Sequence, residues 1–554
     1  MRLARALQLS LWDWLFLALG LGLLLAVSLT FQDYGITWDE PAHASYGDLI
    51  LRWYGSLFGD SRALNFSNLH LYGGFFEVLA QSAARVSPMG LYETRHLVNA
   101  WFGLAAIIGT FLLGRYLAGP LAGFLAAMFL ALTPRFYGHA FNNPKDIPFA
   151  ALHILALYLT VRAIQRFPDI VRPWVLGVML GLMLGVRFGG AFVLSYPVAA
   201  FLGWFLLQRF TRTKEHKPSM GFLGAASVFA RKFLLVSVVA YACALAWWPA
   251  AQSRPLRQPY RTLMKSARFT TYNQPVFFEG RVTSSRDIPW HYVSKWAAIT
   301  LPEFYFGALG VGSVLACKSL WQSRAGGGRV LEYGLTLLSI CLPVAAVAAS
   351  RAVVYDEIRQ LLFIVPPLAV LAGAGVARLA QGNAHGLIKA AVFPALILSM
   401  GVTAADMIEL HPYKYVYFNR LWGGGLAAAS NSYETDYWGS SYREGARWVA
   451  GAYPLAPGGR KLRVASCSEP NSTTYFLPPD RFAFVGSFDN QPVLDDRPDL
   501  FLATTRWGCH EAFQGRVVHV VQRQQTPLLF VKEIGEEETP RGRFAGRVPV
   551  APIP

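Results

Sequence analysis

Apolar residues in this chain gather into long blocks instead of alternating with polar ones. A block of about twenty apolar residues crosses the hydrocarbon core of a bilayer as one helix. About eleven blocks follow one another, at roughly 11–31, 96–114, 117–134, 147–163, 173–188, 191–208, 232–249, 293–317, 331–350, 359–379 and 386–405. They predict a polytopic α-helical membrane protein. After about residue 406 the blocks stop. "HPYKYVYFNRLWGGG" is aromatic and basic, as expected of a segment running along a membrane interface. A helical "SYREGARWVAGAY" follows, then short apolar runs bounded by turn residues: "KLRVAS", "RFAFVGS", "DLFLATT", "RVVHVVQ" and "LLFVKEI". That order predicts a small α/β domain outside the membrane. The expected organisation is a transmembrane unit over 1–405, a connector over 406–440, an extracytoplasmic α/β domain over 441–535 and a disordered tail over 536–554.

The first polar stretch, "ITWDEPAHASYGDLILRWYGSLFG", has a helical period of its own. Tyr46, Leu49, Ile50, Trp53, Tyr54, Leu57 and Phe58 fall on one face, with Asp48, Arg52 and Ser56 on the other. An aromatic amphipathic helix of this kind is expected to lie in the interface plane. Its N-terminal end would hold Asp39 and Glu40 at head-group height. Acids at that position also cap helices and complement the helix dipole, so the pair alone does not establish chemistry.

Charge sets the threading. The start "MRLARALQ" is basic, and so are the alternate loops containing Arg115; Arg162, Arg166 and Arg172; Arg209, Arg212, Lys214 and Lys217; and Lys318, Arg324 and Arg329. Basic loops stay in the cytoplasm. This predicts a multi-pass protein of the plasma (inner) membrane, with a cytoplasmic N-terminus and a periplasmic C-terminal domain. The net charge of +17 is then explained by these loops and by membrane lipids. No zinc spacing, phosphate-binding glycine loop or nucleic-acid module is present, so no nucleic-acid partner is expected. One outer segment, 250–290, breaks the rule with Arg254, Arg257, Arg261, Lys265, Arg268, Arg281 and Arg286, which suits a protein handling phosphorylated lipid. Cys243, Cys317 and Cys341 fall in or near apolar blocks, whereas Cys467 and Cys509 lie in the C-terminal part, where an oxidising compartment would let them pair.

Several motifs, in order, carry a resemblance: "TWDEPAH" after the first span, "PRFYGHAFNNPKDIPFA" in the second outer loop, "SSRDIPWHYVSKWAAITLPEF", "YDEIRQLLFIVPPLAVLAGAG" and "HPYKYVYFNRLWGGG". Over about residues 10–440 the chain resembles the C-type superfamily of membrane glycosyltransferases. Within it, the chain is similar to bacterial relatives of protein O-mannosyltransferases and of lipid A aminoarabinose transferases. The resemblance implies inverting transfer of a sugar from a polyprenyl-phosphate donor to a lipid, glycan or protein acceptor at the outer membrane face. Polyprenyl phosphate leaves without needing a proton, so one base for the acceptor hydroxyl suffices.

By family position Asp39 is that base, and Glu40 orients it, binds acceptor or ligates a metal. Arg359, Arg187 and Lys145 are expected to hold the departing phosphate, Arg359 foremost, because a boundary charge pointing inward is costly without a partner. Asp146, His139 and His43 are expected around the substrate cavity, with a capping role open for Asp146. A divalent metal held by oxygen and imidazole ligands is left open. The rival reading is a lipid or glycolipid transporter, or flippase, without chemistry. Against it, no repeated halves are visible and the candidate charges gather at one face.

Overall fold

The computed structural model describes residues 9–210, 221–267, 273–322, 329–382, 386–454, 459–488, 492–494 and 497–535. The expected tail at 536–554, with Arg212, Lys214, Lys217, Arg268 and Arg324, lies outside them. Helix α1 (Leu11–Thr30) is the first span, α2 (Glu40–Gly55) and α3 (Phe75–Val86) follow it, and α4 (Leu91–Ala118) is the next long helix. Helices α5 (Pro120–Ala131) and α6 (Pro134–Asn142) form a pair bent by 67° at the Leu132–Thr133 break. Then come α7 (Asp146–Gln165), the short α8 (Pro173–Leu184), α9 (Ser195–Phe210) and α10 (Phe222–Ala246). Helices α11 (Pro249–Ser253) and α12 (Arg257–Ala267) precede a hairpin of β1 (Pro275–Phe278) and β2 (Arg281–Ser284). Helix α13 (Tyr292–Thr300) meets α14 (Glu303–Gln322) at a 108° bend beside Pro302, followed by α15 (Val330–Ser350), α16 (Val365–Gln381) and α17 (Gly386–Glu409).

Among the described residues eight helices are long and apolar enough to cross a bilayer, or ten if each bent pair is one span. The eleventh expected block, 173–188, is the short apolar α8. This is a multi-pass membrane protein. Helices α4, α7 and α16 form the interior, while α1, α10 and α17 turn apolar side chains outward. Small residues let the inner helices touch: a Cβ on Gly375 of α16 would sit 2.7 Å from the Cα of Gly312 on α14.

Basic groups from several loops gather at one end of the bundle. Arg115, at the end of α4, pairs with Asp13, at the start of α1, with Nε 2.7 Å from Oδ1. The Arg329 guanidinium lies over Tyr116 and that of Arg378 over Tyr333, at the same end of the bundle. Helix α2 is amphipathic as expected, but most of its aromatic face is seated on protein. Trp53 donates to Gln252, and Tyr46 and Ile50 pack with Ala63 and Leu69, leaving only Leu57 and Phe58 widely exposed. The 56–74 segment folds back beneath the helix and supplies the apolar partners that lipid was expected to supply.

The connector also runs inside. Tyr413, Tyr415, Val416, Tyr417 and Phe418 are buried between the bundle and the C-terminal domain, while Leu421 and Trp422 are exposed. Beyond α18 (Gly425–Ala429) and α19 (Tyr442–Ala452), the sheet is built from β3 (Leu462–Ser466), β4 (Phe482–Phe488), β5 (Pro492–Leu494), β6 (Leu500–Thr504), β7 (Arg516–Arg523) and β8 (Thr526–Glu533), with α20 (Asn471–Thr474) between β3 and β4. Its order is β5-β4-β3-β6-β8-β7, with β3 parallel to β4 and β6 and the other pairs antiparallel. The five expected strands are β3, β4, β6, β7 and β8. The three-residue edge strand β5 and the β1–β2 hairpin were not predicted, being too short for a periodic signal. Cys467 and Cys509 form a disulfide within this domain.

The segment preceding α2 is clamped by the connector. Gly35 N donates to Ser440 Oγ at 3.2 Å and Trp38 N to the Trp438 carbonyl at 3.2 Å. A Cβ on Gly35 would lie 2.1 Å from the Ser440 carbonyl oxygen, a backbone contact that cannot yield cheaply. Gly35→Ala is therefore expected to destabilise by roughly 1–3 kcal/mol, the usual cost of overpacking. Thermal unfolding in detergent would read this as a lowered Tm; an unchanged Tm would mean that the clamp is not tight.

Candidate functional site

Four remote segments meet just beyond the first span. Asp39 is the N-cap residue of α2, Lys145 and Asp146 begin α7, Arg187 precedes the 3-10 turn Phe188–Leu194, and Arg359 begins the 3-10 turn Arg359–Ile364. Asp39 Oδ2 lies 3.3 Å from Lys145 Nζ and 3.8 Å from Arg359 Nη1. Asp146 pairs with Arg187 through one oxygen, and its Oδ2 lies 3.6 Å from Arg359 Nη1. Asn143 fixes Asp146 on both sides: its Nδ2 donates to Asp146 Oδ2 at 3.0 Å, and its Oδ1 accepts from the Asp146 backbone at 3.0 Å. Asp146 therefore belongs to the cluster while being held by the turn that starts α7.

Exposure separates the roles open to these groups. The Arg359 side chain is only 4% exposed and Asp146 2%, against 28% for Asp39, 17% for Lys145 and 24% for Arg187. Arg359 is saturated within the protein. It donates twice to Asp356 (Nη2 at 2.8 Å, Nε at 3.1 Å), faces Asp39 and Asp146, and lies over the Trp438 and Tyr355 rings at 4.7 and 5.2 Å. Lys145, over the Tyr72 ring, and Arg187 are the cations an incoming ligand can reach.

Three of the expected residues are held by partners outside the cluster. Glu40 accepts from Thr37 N at 2.8 Å and Thr37 Oγ1 at 3.1 Å, and pairs with His96 Nε2 at 2.9 Å, so it ties the turn before α2 to α4. His43 Nδ1 lies 2.6 Å from Glu77, which also pairs with Arg95, forming a buried triad between α2, α3 and α4. His139 Nε2 lies 2.9 Å from the Tyr437 hydroxyl, behind the cluster, and its Nδ1 3.3 Å from Asn143. Among the described residues, no group of three or more His, Cys, Asp and Glu side chains is placed to hold a metal ion.

Sequence reading overlooked a second layer. Asp356 and Glu357 sit at φ 53° and 66°, a left-handed pair in which non-glycine residues are uncommon and which often marks a functional turn. The turn sends Asp356 to Arg359 and to Arg506 Nη2 (2.9 Å), and Glu357 to the buried Arg135. Arg506 comes from the C-terminal domain, between β6 and β7. Its neighbour Trp507, also left-handed at φ 55°, packs edge-on against Trp38 at 5.7 Å and donates to the Pro275 carbonyl at 3.0 Å. The Cys467–Cys509 bridge anchors that turn two residues further on. Charge spacing in "YDEIR" was the only available signal for Asp356; Arg506 had none.

Electrostatics follow from this layout. Burial works against the charged form of Asp39, but Lys145, Arg359 and His43 more than offset it, holding its carboxyl well below the usual carboxylate range. Asp39 is thus a carboxylate at any physiological pH. Glu434 is the opposite case. Burial pushes its carboxyl up to about 7, aided by Asp356 and opposed by Arg506.

A sequence model of the family described as dolichyl-phosphate-mannose-protein mannosyltransferase matches residues 94–241. No curated protein matches. Among solved structures, the fold is similar to ArnT from Cupriavidus metallidurans bound to undecaprenyl phosphate, at 15% identity and TM-score 0.48, covering 94% of this chain and 98% of that one. It is also similar to the archaeal oligosaccharyltransferase AglB from Archaeoglobus fulgidus in complex with an inhibitory peptide and a dolichol-phosphate, at 13% identity and TM-score 0.45, covering 89% of this chain and 70% of that one. The family match falls within the stretch over which the sequence motifs resemble C-type membrane glycosyltransferases, and covers residues 94–241 of it.

Two substitutions test the charge layout. Arg359→Met leaves three carboxylates facing one another without their shared cation, which is expected to cost roughly 3–5 kcal/mol. Lys145→Met, at a partly exposed site, is expected to leave Tm within a degree or two of wild type. Equal losses in the two variants would overturn the division between a structural and an accessible cation. For Glu434 the folded carboxyl is raised, so its cost is absent below the ordinary range near 4.5 and complete above about 7. Glu434→Gln is therefore expected to raise Tm at pH 8, by the equivalent of at most about 3 kcal/mol, and to do little at pH 4.5. Unfolding scans at the two pH values check the sign.

Proposed function

We propose that this protein is an inverting membrane glycosyltransferase that moves a sugar from a polyprenyl-phosphate donor to an acceptor hydroxyl, with Asp39 as the general base. One observation carries the reading: a partly exposed carboxylate, held ionised, stands 3.3 Å from an accessible ammonium where four segments converge at the bundle end. The mannosyltransferase family match at residues 94–241 supports the donor class. The Cys467–Cys509 bridge supports an extracytoplasmic site, since such bonds persist in oxidising compartments.

In this reading the acceptor oxygen attacks the anomeric carbon as the bond from that carbon to the phosphate oxygen breaks. The acceptor proton goes to Asp39, and the bonding electron pair leaves with the lipid phosphate. Lys145 and Arg187 receive the phosphate because they are the accessible cations. Arg359, already surrounded by carboxylates, positions Asp39 and Asp146 instead of binding the donor first.

The same geometry supplies an activation step. While Lys145 rests on Asp39, the carboxylate is too weak a base to take a hydroxyl proton efficiently. A donor phosphate competes for the ammonium and adds a negative charge nearby. Both effects raise the basicity of Asp39 when, and only when, donor is present.

Asp39→Asn is expected to abolish release of free polyprenyl phosphate while donor binding persists; turnover within about tenfold of wild type would remove Asp39 from the base role. Lys145→Ala is expected to weaken donor binding at unchanged Tm. The pH profiles carry the activation step. The acid limb of kcat/KM for donor reports free enzyme and is expected well below the usual carboxylate range, whereas that of kcat, reporting the donor complex, lies higher. Coincident limbs would show that Lys145 stays on Asp39 during turnover.

A further inference from the structure

The bundle end opposite Asp39 has a site of its own. Along α7, sixteen residues separate Asp146 from Arg162, a rise of roughly 24 Å at about 1.5 Å per residue. At that far end a cavity of about 480 Å³ opens between α7, α8, α9 and α10. Its lining includes Arg162, Arg166, Arg172 and Lys232 and no acidic residue. Among the described residues none of these four cations takes part in an ion pair. Arg162 donates to the Tyr158 hydroxyl at 3.0 Å, and Lys232 to the Ile170 carbonyl at 2.7 Å, which ties the α7–α8 turn to α10. Arg166 and Arg172 are exposed.

Behind this rim the walls are apolar. Phe167 and Phe229 line the cavity, with Leu176, Ala200 and Val236 deeper toward the bundle. Val171, at its mouth, is 80% exposed. Like charges converging on one cavity repel unless an anion joins them. A small soluble anion would satisfy the rim and leave the apolar interior unmatched. A molecule with a phosphate head and hydrocarbon behind it satisfies both, and the membrane supplies such molecules at this depth.

We propose that this cavity binds an anionic phospholipid of the leaflet opposite the Asp39 site. The head-group phosphate lies among Arg162, Arg166, Arg172 and Lys232, and the upper acyl chain runs against Phe167 and Phe229. A lipid seated there bridges α7, α8 and α10 at one end of the bundle; at their other ends α7 carries Asp146 and α8 leads into Arg187. The inference does not depend on the catalytic reading.

The test uses the full chain, stripped of lipid in detergent. Dioleoylphosphatidylglycerol, dioleoylphosphatidylcholine and soluble glycerol 3-phosphate are each added, and lipid adducts are counted by native mass spectrometry beside Tm. The expected result is selective retention of phosphatidylglycerol with a raised Tm, and no effect of glycerol 3-phosphate. Arg166→Gln combined with Arg172→Gln, both on exposed side chains, is expected to weaken retention roughly 30-fold at unchanged lipid-free Tm. Equal retention of the two lipids, or of phosphatidylglycerol by wild type and double variant, would overturn the proposal. Stabilisation by glycerol 3-phosphate as strong as by the lipid would make it a small-anion site, which also overturns it. Should the double variant misfold, phosphatidylglycerol with a photoreactive acyl chain decides on wild type. Labelling of peptides containing Phe167 or Phe229 supports the site, and labelling elsewhere alone refutes it.

Discussion

The arrangement around Asp39 depends on one buried guanidinium. Arg359 is 4% exposed and has Asp356, Asp39 and Asp146 within 2.8 to 3.8 Å. Three carboxylates so close together cannot all stay ionised without a central cation. Nor could the cation stay buried without them, since an isolated buried charge is far too costly. Each group therefore enforces the position of the others, and through them the relative placement of α2, α7 and α16. The Trp438 and Tyr355 rings close the remaining faces of the guanidinium and keep water from competing.

This interlock makes the C-terminal sheet part of the site. Arg506 takes the second oxygen of Asp356, Trp507 rests on Trp38 beside Asp39, and the connector clamps the chain at Gly35 and Trp38. Asp436 organises the clamp by accepting from the backbone N–H groups of Gly439, Ser440 and Ser441. A domain that looks appended in sequence thus holds the carboxylate layer together from above. The disulfide at Cys509 stiffens the turn that delivers Arg506 and Trp507.

Division of labour among the cations gives the cluster its chemical character. A buried, saturated arginine fixes geometry, whereas partly exposed Lys145 and Arg187 keep capacity for a ligand. In the proposed reaction this lets a carboxylate rest strongly ionised and gain basicity only as a phosphate arrives. On that proposal, such a site would do little chemistry with water until a donor arrives.

Much of the fold was legible in the chain. Among the described residues the long apolar blocks located the eight helices long and apolar enough to cross a bilayer, both bent pairs and the short α8, because an apolar segment in lipid satisfies its own backbone by forming a helix. Short apolar runs located five of the six strands in the C-terminal sheet. Asp39, Lys145, Asp146, Arg187 and Arg359 could be singled out because charges at the ends of apolar blocks stand out against their surroundings. Their partners could not. Glu40, adjacent to Asp39, turns away to Thr37 and His96, and Arg359 spends its donors on carboxylates. The aromatic face of α2 and the buried connector meet protein where lipid was expected, since hydrophobic periodicity records that a face is covered but not by what. Sequence by itself determined which segments are apolar enough to enter a membrane and which charged residues flank them, because solvation of one segment at a time decides that. Only tertiary structure decided which charges neutralise which, because pairing a buried ion depends on distances between segments hundreds of residues apart.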